Sequence, residues 1–391
     1  MFFVKIPLMF MKKVGIVCEY NPFHNGHIYH LKKIKELFPD SLIILIMSGN
    51  YTMRGELSLL DKWDKTFIAL QYGVDLVIEL PLFYAINSSD IFAEGSIKLL
   101  NYLKCDYIVF GSESNDVDKL QILANTQINN KNLDNLVKEY LNNGLNYPTS
   151  LSKALEDICH IKVNSPNDLL GISYIKEIIM NNYNIKPITI LRTNDYHEKE
   201  ISSSISSATS IREALKNGES FLNTVPKETN ELIIRENFDD SYFKLLKYKI
   251  LSDMNNLNTY LDVKEGLDSL IRKSIIKSNN LEELINNIKT KRYTYNRIKR
   301  MLLHIFLNIK NQDIKKLKAI NYIRILGFNN KGRNYIKEIR NNINIPIITN
   351  YSDIKDNNLN LELYSSMIYY SVINKEEFKI KELKSVPIIK E

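Results

Sequence analysis

Cysteines are few in this chain of 391 residues, and long apolar runs are absent. The three cysteines, Cys18, Cys105 and Cys159, show no paired spacing. This excludes a disulfide framework and predicts a reducing, cytoplasmic location. The longest purely apolar stretch, residues 42–47, is far shorter than the ~20 residues that cross a bilayer. We expect no membrane segment, and nothing in the sequence predicts a protein partner.

The first ten residues are apolar apart from Lys5. A secretory signal needs a longer apolar region and a small-residue cleavage site, and both are missing. We interpret residues 1–10 as an extension from an upstream start, with Met11 as the functional initiator.

Positive charge is concentrated in the C-terminal part of the chain, which carries a net charge of +7 overall. Residues 1–220 contain 22 Lys and Arg against 25 Asp and Glu, whereas residues 221–391 contain 30 against 20. A codon bias toward lysine would enrich both parts equally. The asymmetry therefore indicates that the C-terminal part meets a polyanion.

The first half alternates short apolar runs with helical patterns, and the runs lie at residues 14–19, 42–48, 76–80, 107–110 and 188–191. The first four follow one another at intervals of about thirty residues, the length of a βα unit. Nearly continuous apolar runs are typical of parallel strands that are covered on both faces. We predict an α/β fold with a doubly wound parallel sheet and ligands beyond the carboxyl ends of the strands.

Residues 112–187 predict a mainly helical insertion, with helices over 151–158 and 169–180. The sequence Lys-Asn-Gly-Glu-Ser at 216–220 is typical of a helix end. From about residue 241 to residue 340 the pattern is almost wholly helical. We therefore predict an α/β domain over residues 11–222 and a helical, basic domain over 223–391.

The strongest motif is His24-Asn25-Gly26-His27, which follows a predicted buried strand and opens a predicted helix. Gly26 can adopt backbone angles that are closed to other residues. The new helix offers unpaired N–H groups and the positive end of its dipole to a phosphate. His24 and His27 flank the glycine and can both donate hydrogen bonds to the same anion, which predicts catalytic roles for them.

Metal binding is an alternative for these histidines. His27 and His30 are three residues apart, a spacing at which two ligands share one helix face. A third ligand is missing nearby, so we predict no protein metal site.

The motif resembles the HxGH signature of the nucleotidyltransferase superfamily. Together with further segments it resembles the bacterial tRNA(Met) cytidine acetate ligase family, and these segments are residues 19–27, 47–50, 54–56, 110–113, 166–171, 206–212, 290–294 and 326–328. The resemblance covers nearly all of residues 11–391. In the segment over residues 166–171, that family usually has two asparagines after the proline, which is Pro166 here. Here Asp168 replaces the second, so Asn167 is the expected contact.

The resemblance implies an ATP-binding set, which comprises Val17, Cys18, Glu19, Tyr20, Asn21, Pro22, Phe23, His24, Asn25, Gly26, His27, Ile28, Tyr29, His30, Gly111, Asn167 and Arg192. Gly111 and Arg192 both follow predicted strands, where ligands of such sheets bind. Mg²⁺ is expected to arrive with ATP, held mostly by phosphate oxygens.

Three further groups fit the phosphate end of this site. Ser206 and Thr209 stand at the start of a predicted helix, whose N-terminus and Arg212 would bind pyrophosphate. An ordinary helix cap is the alternative for these hydroxyls. Arg54 follows the second strand and would hold phosphate or the carboxylate of acetate, or it is a surface arginine.

Residues 289–300 carry six basic side chains and no acidic one. At helical spacing, Tyr293, Arg297, Arg300 and His304 share one face, on which the tyrosine could stack on an unpaired base. A solvated helix face is the alternative. We predict a tRNA-binding set that comprises Lys289, Lys291, Arg292, Tyr293, Arg297, Lys299 and Arg300.

The resemblance implies a two-step ligase that forms acetyl-adenylate and transfers the acetyl group to the wobble cytidine of elongator tRNA(Met), releasing AMP and diphosphate. ATP, acetate and tRNA are the expected substrates. Two alternatives stay open: adenylyl transfer to a phosphorylated coenzyme precursor, and a non-catalytic tRNA-binding protein.

Overall fold

The computed structural model describes residues 11–192, 205–375 and 377–391, so the predicted extension over residues 1–10 lies outside the described residues. The strands within them are β1 (Lys13–Cys18), β2 (Leu42–Ser48), β3 (Leu76–Leu80), β4 (Tyr107–Ser112), β5 (Lys186–Leu191), β6 (Ile323–Asn329), β7 (Ile347–Ile348) and β8 (Ile388–Lys390). The helices of the first half are α1 (Asn25–Leu37), α2 (Lys62–Gln71), α3 (Leu82–Ala85), α4 (Ser89–Tyr102), α5 (Val117–Asn129), α6 (Leu133–Asn142), α7 (Tyr147–Cys159), α8 (Pro166–Met180) and α9 (Ala208–Asn217). Those of the second half are α10 (Lys227–Leu232), α11 (Asp239–Ser252), α12 (Leu267–Lys277), α13 (Leu281–Ile288), α14 (Tyr295–Phe306), α15 (Ile314–Leu317), α16 (Asn330–Ile339), α17 (Asn357–Val372) and α18 (Phe378–Lys384).

A parallel sheet lies at the centre of the fold, with its first five strands in the order β5-β4-β1-β2-β3. All seven residues of β2 are buried, as expected for a parallel strand covered on both faces. This confirms the predicted doubly wound sheet. The strand order reverses between β1 and β4, and in such folds the ligand crevice lies beyond the carboxyl ends of the strands at that point.

The helical insertion is present, because α5 to α8 connect β4 to β5. The two helices predicted at 151–158 and 169–180 lie within α7 and α8. Within the described ranges, no helix is long and apolar enough to span a bilayer.

The prediction of an almost wholly helical pattern up to residue 340 was wrong at β6. This strand pairs antiparallel with β3, and β7 and β8 each pair with β6 in parallel. Arg324 interrupts the apolar run of β6, yet its side chain is buried. For this reason the sequence pattern did not predict a core strand here. The sheet therefore crosses the domain boundary that we place near residue 222, and that boundary stays a prediction.

A buried ionic cluster explains how an arginine can lie in the core. Arg324 and Lys62 both contact the Glu79 carboxylate, at 2.6 and 2.9 Å. Lys62 also contacts Glu382 at 2.5 Å, and the Tyr351 hydroxyl lies 3.1 Å from its ammonium group. Two cations thus face two carboxylates, and the cluster ties α2 and β3 to β6 and α18. Removing one partner from such a cluster costs roughly 3–5 kcal/mol, because an uncompensated charge stays buried.

Another buried carboxylate, that of Asp168, joins the end of β4 to the start of α8. Asp168 accepts hydrogen bonds from the backbone N–H groups of Glu113 and Ser114, at 3.2 and 3.1 Å. The hydroxyls of Ser112 and Ser165 donate to the same carboxylate. Each oxygen therefore receives one backbone and one hydroxyl donor. A carboxylate suits this place because it only accepts hydrogen bonds.

We expect Asp168→Asn to lower the free energy of unfolding by about 1–3 kcal/mol, the cost of a buried group without its partner. Whichever oxygen becomes the amide nitrogen, one of the two backbone N–H groups loses its acceptor. Denaturant unfolding measures the change. Asp134→Asn is the control, since Asp134 is exposed in the first turn of α6. Equal stability of the two variants would contradict this account of Asp168.

Candidate active site

The turn after β1 sets the geometry of the site. His24 is the N-cap of α1, and its Nδ1 atom accepts a hydrogen bond from the Gly26 N–H at 3.1 Å. The Nδ1 atom of His27 accepts one from the His24 N–H, also at 3.1 Å. Two of the unpaired N–H groups at a helix start are thereby satisfied by ring nitrogens. The predicted strand, turn and helix are all present.

Gly26 is needed for a different reason from the one that we expected. Its φ is not among the positive values found in this chain. A Cβ atom at this position would lie 2.8 Å from Cε1 of His24. The glycine therefore makes room for the capping ring, and its wider choice of backbone angles is not used.

The hydrogen bonds also fix which nitrogen of each ring carries the proton. Because both Nδ1 atoms accept, the neutral rings carry their protons on Nε2. The two rings are in contact, with 3.8 Å between centroids and 35° between their planes, and both line one cavity. Each histidine can therefore present an Nε2–H donor to a bound anion.

Burial keeps these imidazoles uncharged. Desolvation, followed by the nearby Arg192 and Arg212, lowers the pKa of His24 to about 3. Desolvation and the neighbouring histidines place the pKa of His27 well below its ordinary value. Desolvation and Arg192 lower the pKa of His30 to about 4, and its Nε2 has no hydrogen-bond partner among the described residues. At neutral pH all three rings are neutral.

The cavity has a volume of about 270 Å³ and lies at the carboxyl ends of β1, β4 and β5. Seventeen of the predicted site residues line it, and they are Val17, Cys18, Glu19, Tyr20, Asn21, His24, Gly26, His27, Tyr29, His30, Arg54, Gly111, Asn167, Arg192, Ser206, Thr209 and Arg212. Four others of the predicted set, Pro22, Phe23, Asn25 and Ile28, do not. Phe23 instead packs beneath the motif, 5.4 Å from the His27 ring centroid, and the Asn25 amide donates to the Asn223 carbonyl.

Two arginines, Arg54 and Arg212, line the cavity near the start of α9. Arg54 donates to the Thr209 hydroxyl at 3.1 Å, so it belongs to the cavity wall and is not a detached surface residue. Arg212 donates to the Asn21 carbonyl at 2.8 Å. The cap of α9 is Ser207, whose hydroxyl accepts from the Ser210 N–H. Capping therefore does not account for Ser206 and Thr209, which both line the cavity.

Another part of the cavity wall combines polar and apolar groups. The Asn167 amide donates to the Glu113 carboxylate at 2.5 Å, and Nε of Arg192 lies 3.9 Å from the same carboxylate. A Cβ atom on Gly111 would lie 3.3 Å from Cγ of Arg192. An apolar wall, formed by Phe92, Phe110, Leu170 and Tyr174, lies beside these polar groups, a combination that is typical of ligand pockets.

Sequence reasoning missed that apolar wall and one buried lysine. The wall residues come from α4, β4 and α8, and each has the pattern of an ordinary core residue. Lys65 is buried and donates to the carbonyls of Glu19, Ser48 and Gly49, at 3.0, 2.8 and 2.5 Å. It thus holds the ends of β1 and β2 together. The spacing of Asp61, Lys62 and Lys65 in the sequence gave no sign that these side chains are buried.

The basic segment over residues 289–300 is not one helix. Helix α13 ends at Ile288, with Lys289 as its C-cap, and α14 begins at Tyr295. Tyr293 is buried, its hydroxyl donates to Glu265, and Arg297 covers its ring at 4.5 Å. The prediction that Tyr293 stacks on a base is therefore corrected, because its ring and hydroxyl are already occupied.

The other residues of this segment separate into two groups. Lys289, Lys291 and Arg292 are exposed. Lys299 and Arg300 instead point toward residues 52–56 of the β2–α2 connection. His304, predicted on the same face, is fully buried against the Ile86 carbonyl. Among the described residues, no group of three or more His, Cys, Asp and Glu could hold a metal ion.

The depressed histidine pKa values predict a loss of stability in acid. Well above pH 6.5, the ordinary pKa of histidine, these rings are neutral in both the folded and the unfolded state, so they contribute no pH dependence there. Below it the unfolded chain binds protons that the folded chain excludes, until the pH reaches the folded values near 3 and 4. Each histidine then contributes up to about 1.4 kcal/mol per pH unit to the decline.

We expect urea unfolding between pH 6.5 and 4.5 to show this decline. His24→Asn removes one titrating ring but keeps an acceptor for the Gly26 N–H. The free energy of unfolding of this variant should therefore fall less steeply with decreasing pH, by the equivalent of about one bound proton. An unchanged slope in the variant would contradict the neutral, buried state of His24.

Comparison with known proteins identifies the family. The profile of the HIGH Nucleotidyl Transferase family matches residues 11–385. The tRNA(Met) cytidine acetate ligase of Clostridium novyi (strain NT) is 39% identical over 399 residues, covering 97% of this chain and 99% of the relative. The protein of the same name from Bacillus subtilis (strain 168) is 38% identical over 403 residues, covering 97% of each.

Solved structures show the same fold. Apo Thermotoga maritima TmcAL is similar with a TM-score of 0.88 at 28% identity, and the match covers 97% of this chain and 99% of that one. The form bound with alpha-thio ATP gives a TM-score of 0.85 at 29% identity, with the same coverage. With a family profile over most of its length and close to two fifths of its residues shared with full-length relatives, this chain belongs to the tRNA(Met) cytidine acetate ligase family of HIGH nucleotidyl transferases.

Proposed function

We propose that this protein is an ATP-dependent ligase that forms N4-acetylcytidine at the wobble position of elongator tRNA(Met). The observation that supports it best is the cavity itself. Two neutral histidines and three arginines surround one space at the strand ends, beside an apolar wall that fits a nucleobase. The names of the full-length relatives supply the acyl acceptor and the tRNA identity.

In the proposed first step, an acetate oxygen attacks the α-phosphorus of ATP and the bond to the bridging oxygen of diphosphate breaks. The Nε2–H donors of His24 and His27 stabilise the charge on the phosphates as it shifts toward the leaving group. Arg54 and Arg212 would neutralise the departing diphosphate at the start of α9. Acetate is already ionised, so its attack needs no general base.

Asn167, Gly111 and the apolar wall would hold the adenosine. Because its amide donates to Glu113, Asn167 has a fixed orientation next to the cavity. Mg²⁺ would be held mainly by the phosphate oxygens of ATP, where it would offset their negative charge.

In the second step, the exocyclic amine of the cytidine attacks the acyl carbon of acetyl-adenylate. The amine loses a proton and AMP leaves, so the products are acetylcytidine and AMP. A wobble base is accessible to such an enzyme because it lies in a single-stranded loop. The exposed Lys289, Lys291 and Arg292 are the residues of the basic segment that we propose to contact the tRNA backbone, in the cytoplasm where tRNA is modified.

The decisive assay combines purified protein, ATP, labelled acetate and total tRNA. Acetylcytidine in the digested tRNA together with AMP supports the proposal. A dinucleotide-like product from a phosphorylated precursor would instead establish a coenzyme adenylyltransferase. Tight tRNA binding without acetate-dependent diphosphate release would establish a non-catalytic binding protein.

We expect His27→Ala to lower the rate of acetate-dependent exchange between diphosphate and ATP by about 10²–10³, as for one lost transition-state donor. The variant loses both its Nε2–H donor and the acceptor for the His24 N–H. Initial rates at saturating ATP measure the effect on the chemical step.

His160→Asn is the matched control, since His160 is exposed at the end of α7 in a left-handed conformation that asparagine tolerates. It should keep the wild-type rate. Turnover of His27→Ala close to that of the control would refute the role given to His27.

A further inference from the structure

The loop over residues 52–56, here called the Arg54 loop, lies between the cavity and α14. Arg54 lines the cavity on one side. Gly55 faces α14 with a φ of +76°, and a Cβ atom there would lie 2.4 Å from the backbone nitrogen of Arg300. The loop backbone therefore rests directly on the helix backbone, at a place where a side chain does not fit.

Two basic side chains of α14 fasten this contact. The Lys299 ammonium contacts the Glu56 carboxylate at 2.6 Å, and the Arg300 guanidinium donates to the Met53 carbonyl at 3.0 Å. These residues come from the segment that we predicted to bind tRNA. Both are already engaged by the N-terminal half of the chain, and both are only partly exposed.

The Arg54 loop also contacts residues that line the cavity. The Met53 N–H donates to the Glu19 carboxylate at the end of β1, and Arg54 donates to Thr209 at the start of α9. The second oxygen of Glu56 lies 3.6 Å from Nε of Arg212. One carboxylate thus lies between a cation of α14 and a cation of the cavity wall.

The charge on Glu56 is secure at physiological pH. Burial alone would raise the pKa of its carboxyl group, but Arg212, Lys299 and Arg54 together lower it to about 2. Lys299, Glu56 and Arg212 are therefore all charged at physiological pH. Without the Lys299 charge, the Glu56 carboxylate would be attracted only to Arg212 and Arg54. Both of these arginines line the cavity.

We propose that Lys299 and Arg300 are positioning residues for the nucleotide reaction: they hold the Arg54 loop against α14 so that Arg54 and Arg212 face the triphosphate. This inference rests on the proposed function for its substrate, ATP. It assigns the two residues to the first step, before any tRNA is bound. We assign electrostatic contact with tRNA to the exposed Lys289, Lys291 and Arg292 instead.

The test compares Lys299→Met with Lys315→Met, which removes one exposed lysine from α15 of the same basic half. Two measurements need no tRNA: the Kd of a non-hydrolysable ATP analogue, and the KM for ATP in acetate-dependent diphosphate exchange. A third measurement is the Kd for tRNA. Lys299→Arg is the conservative rescue, because it restores a cation for Glu56.

We expect Lys299→Met to raise the analogue Kd and the KM for ATP about tenfold, because a slightly misplaced arginine loses much of its phosphate contact. Its tRNA Kd should equal that of Lys315→Met. Lys299→Arg should recover most of the nucleotide affinity. Gly55→Ala, which forces the loop off α14 without removing any charge, should reproduce the nucleotide defect.

Wild-type nucleotide affinity in Lys299→Met would overturn the inference, as would a tRNA defect larger than that of Lys315→Met without a nucleotide defect. The outcome is separable from the proposed function. A wild-type protein that binds the ATP analogue but shows no acetate-dependent exchange would refute the ligase assignment, whereas the analogue Kd would still decide the role of Lys299.

Discussion

The pair of hydrogen bonds by which His24 and His27 cap their own helix is the constraint on which the site depends. Each ring uses Nδ1 to accept a backbone N–H. That single use fixes the orientation of the rings, places their remaining protons on Nε2 and requires Gly26 between them. The same two side chains therefore cap the helix and carry the Nε2–H groups that we propose to donate to phosphate, so a change in the capping also changes the site.

Neutral donors make sense beside several cations. Arg54, Arg192 and Arg212 supply the formal positive charge around the cavity, so further charge on buried imidazoles would be costly. The histidines instead provide neutral N–H donors with a fixed direction. Burial is the main cause of their low pKa values, and Arg192 and Arg212 lower the pKa of His24 further. The tautomers follow separately from the backbone N–H groups that donate to the two Nδ1 atoms.

Local patterns predicted the parts of the fold that depend on neighbouring residues. The five strands of the parallel sheet, the histidine turn and the start of α9 were all evident from apolar runs and from glycine, serine and threonine positions. The strand β6 was not, because Arg324 is compensated by Glu79 and Glu382, which are far away in sequence. The burial of Tyr293 likewise depends on Glu265, and the apolar wall of the cavity assembles from three separate elements. Such pairings arise only from packing, and no single stretch of sequence records them.

¹⁵N NMR of the histidine rings in the free protein at pH 7 shows which ring nitrogens carry protons. For His24 and His27 we predict an unprotonated Nδ1 that accepts a hydrogen bond and a protonated Nε2. Addition of an ATP analogue should shift both Nε2 signals as they meet phosphate oxygens. Protonated Nδ1 atoms, doubly protonated rings, or Nε2 signals that ignore the nucleotide would contradict the account.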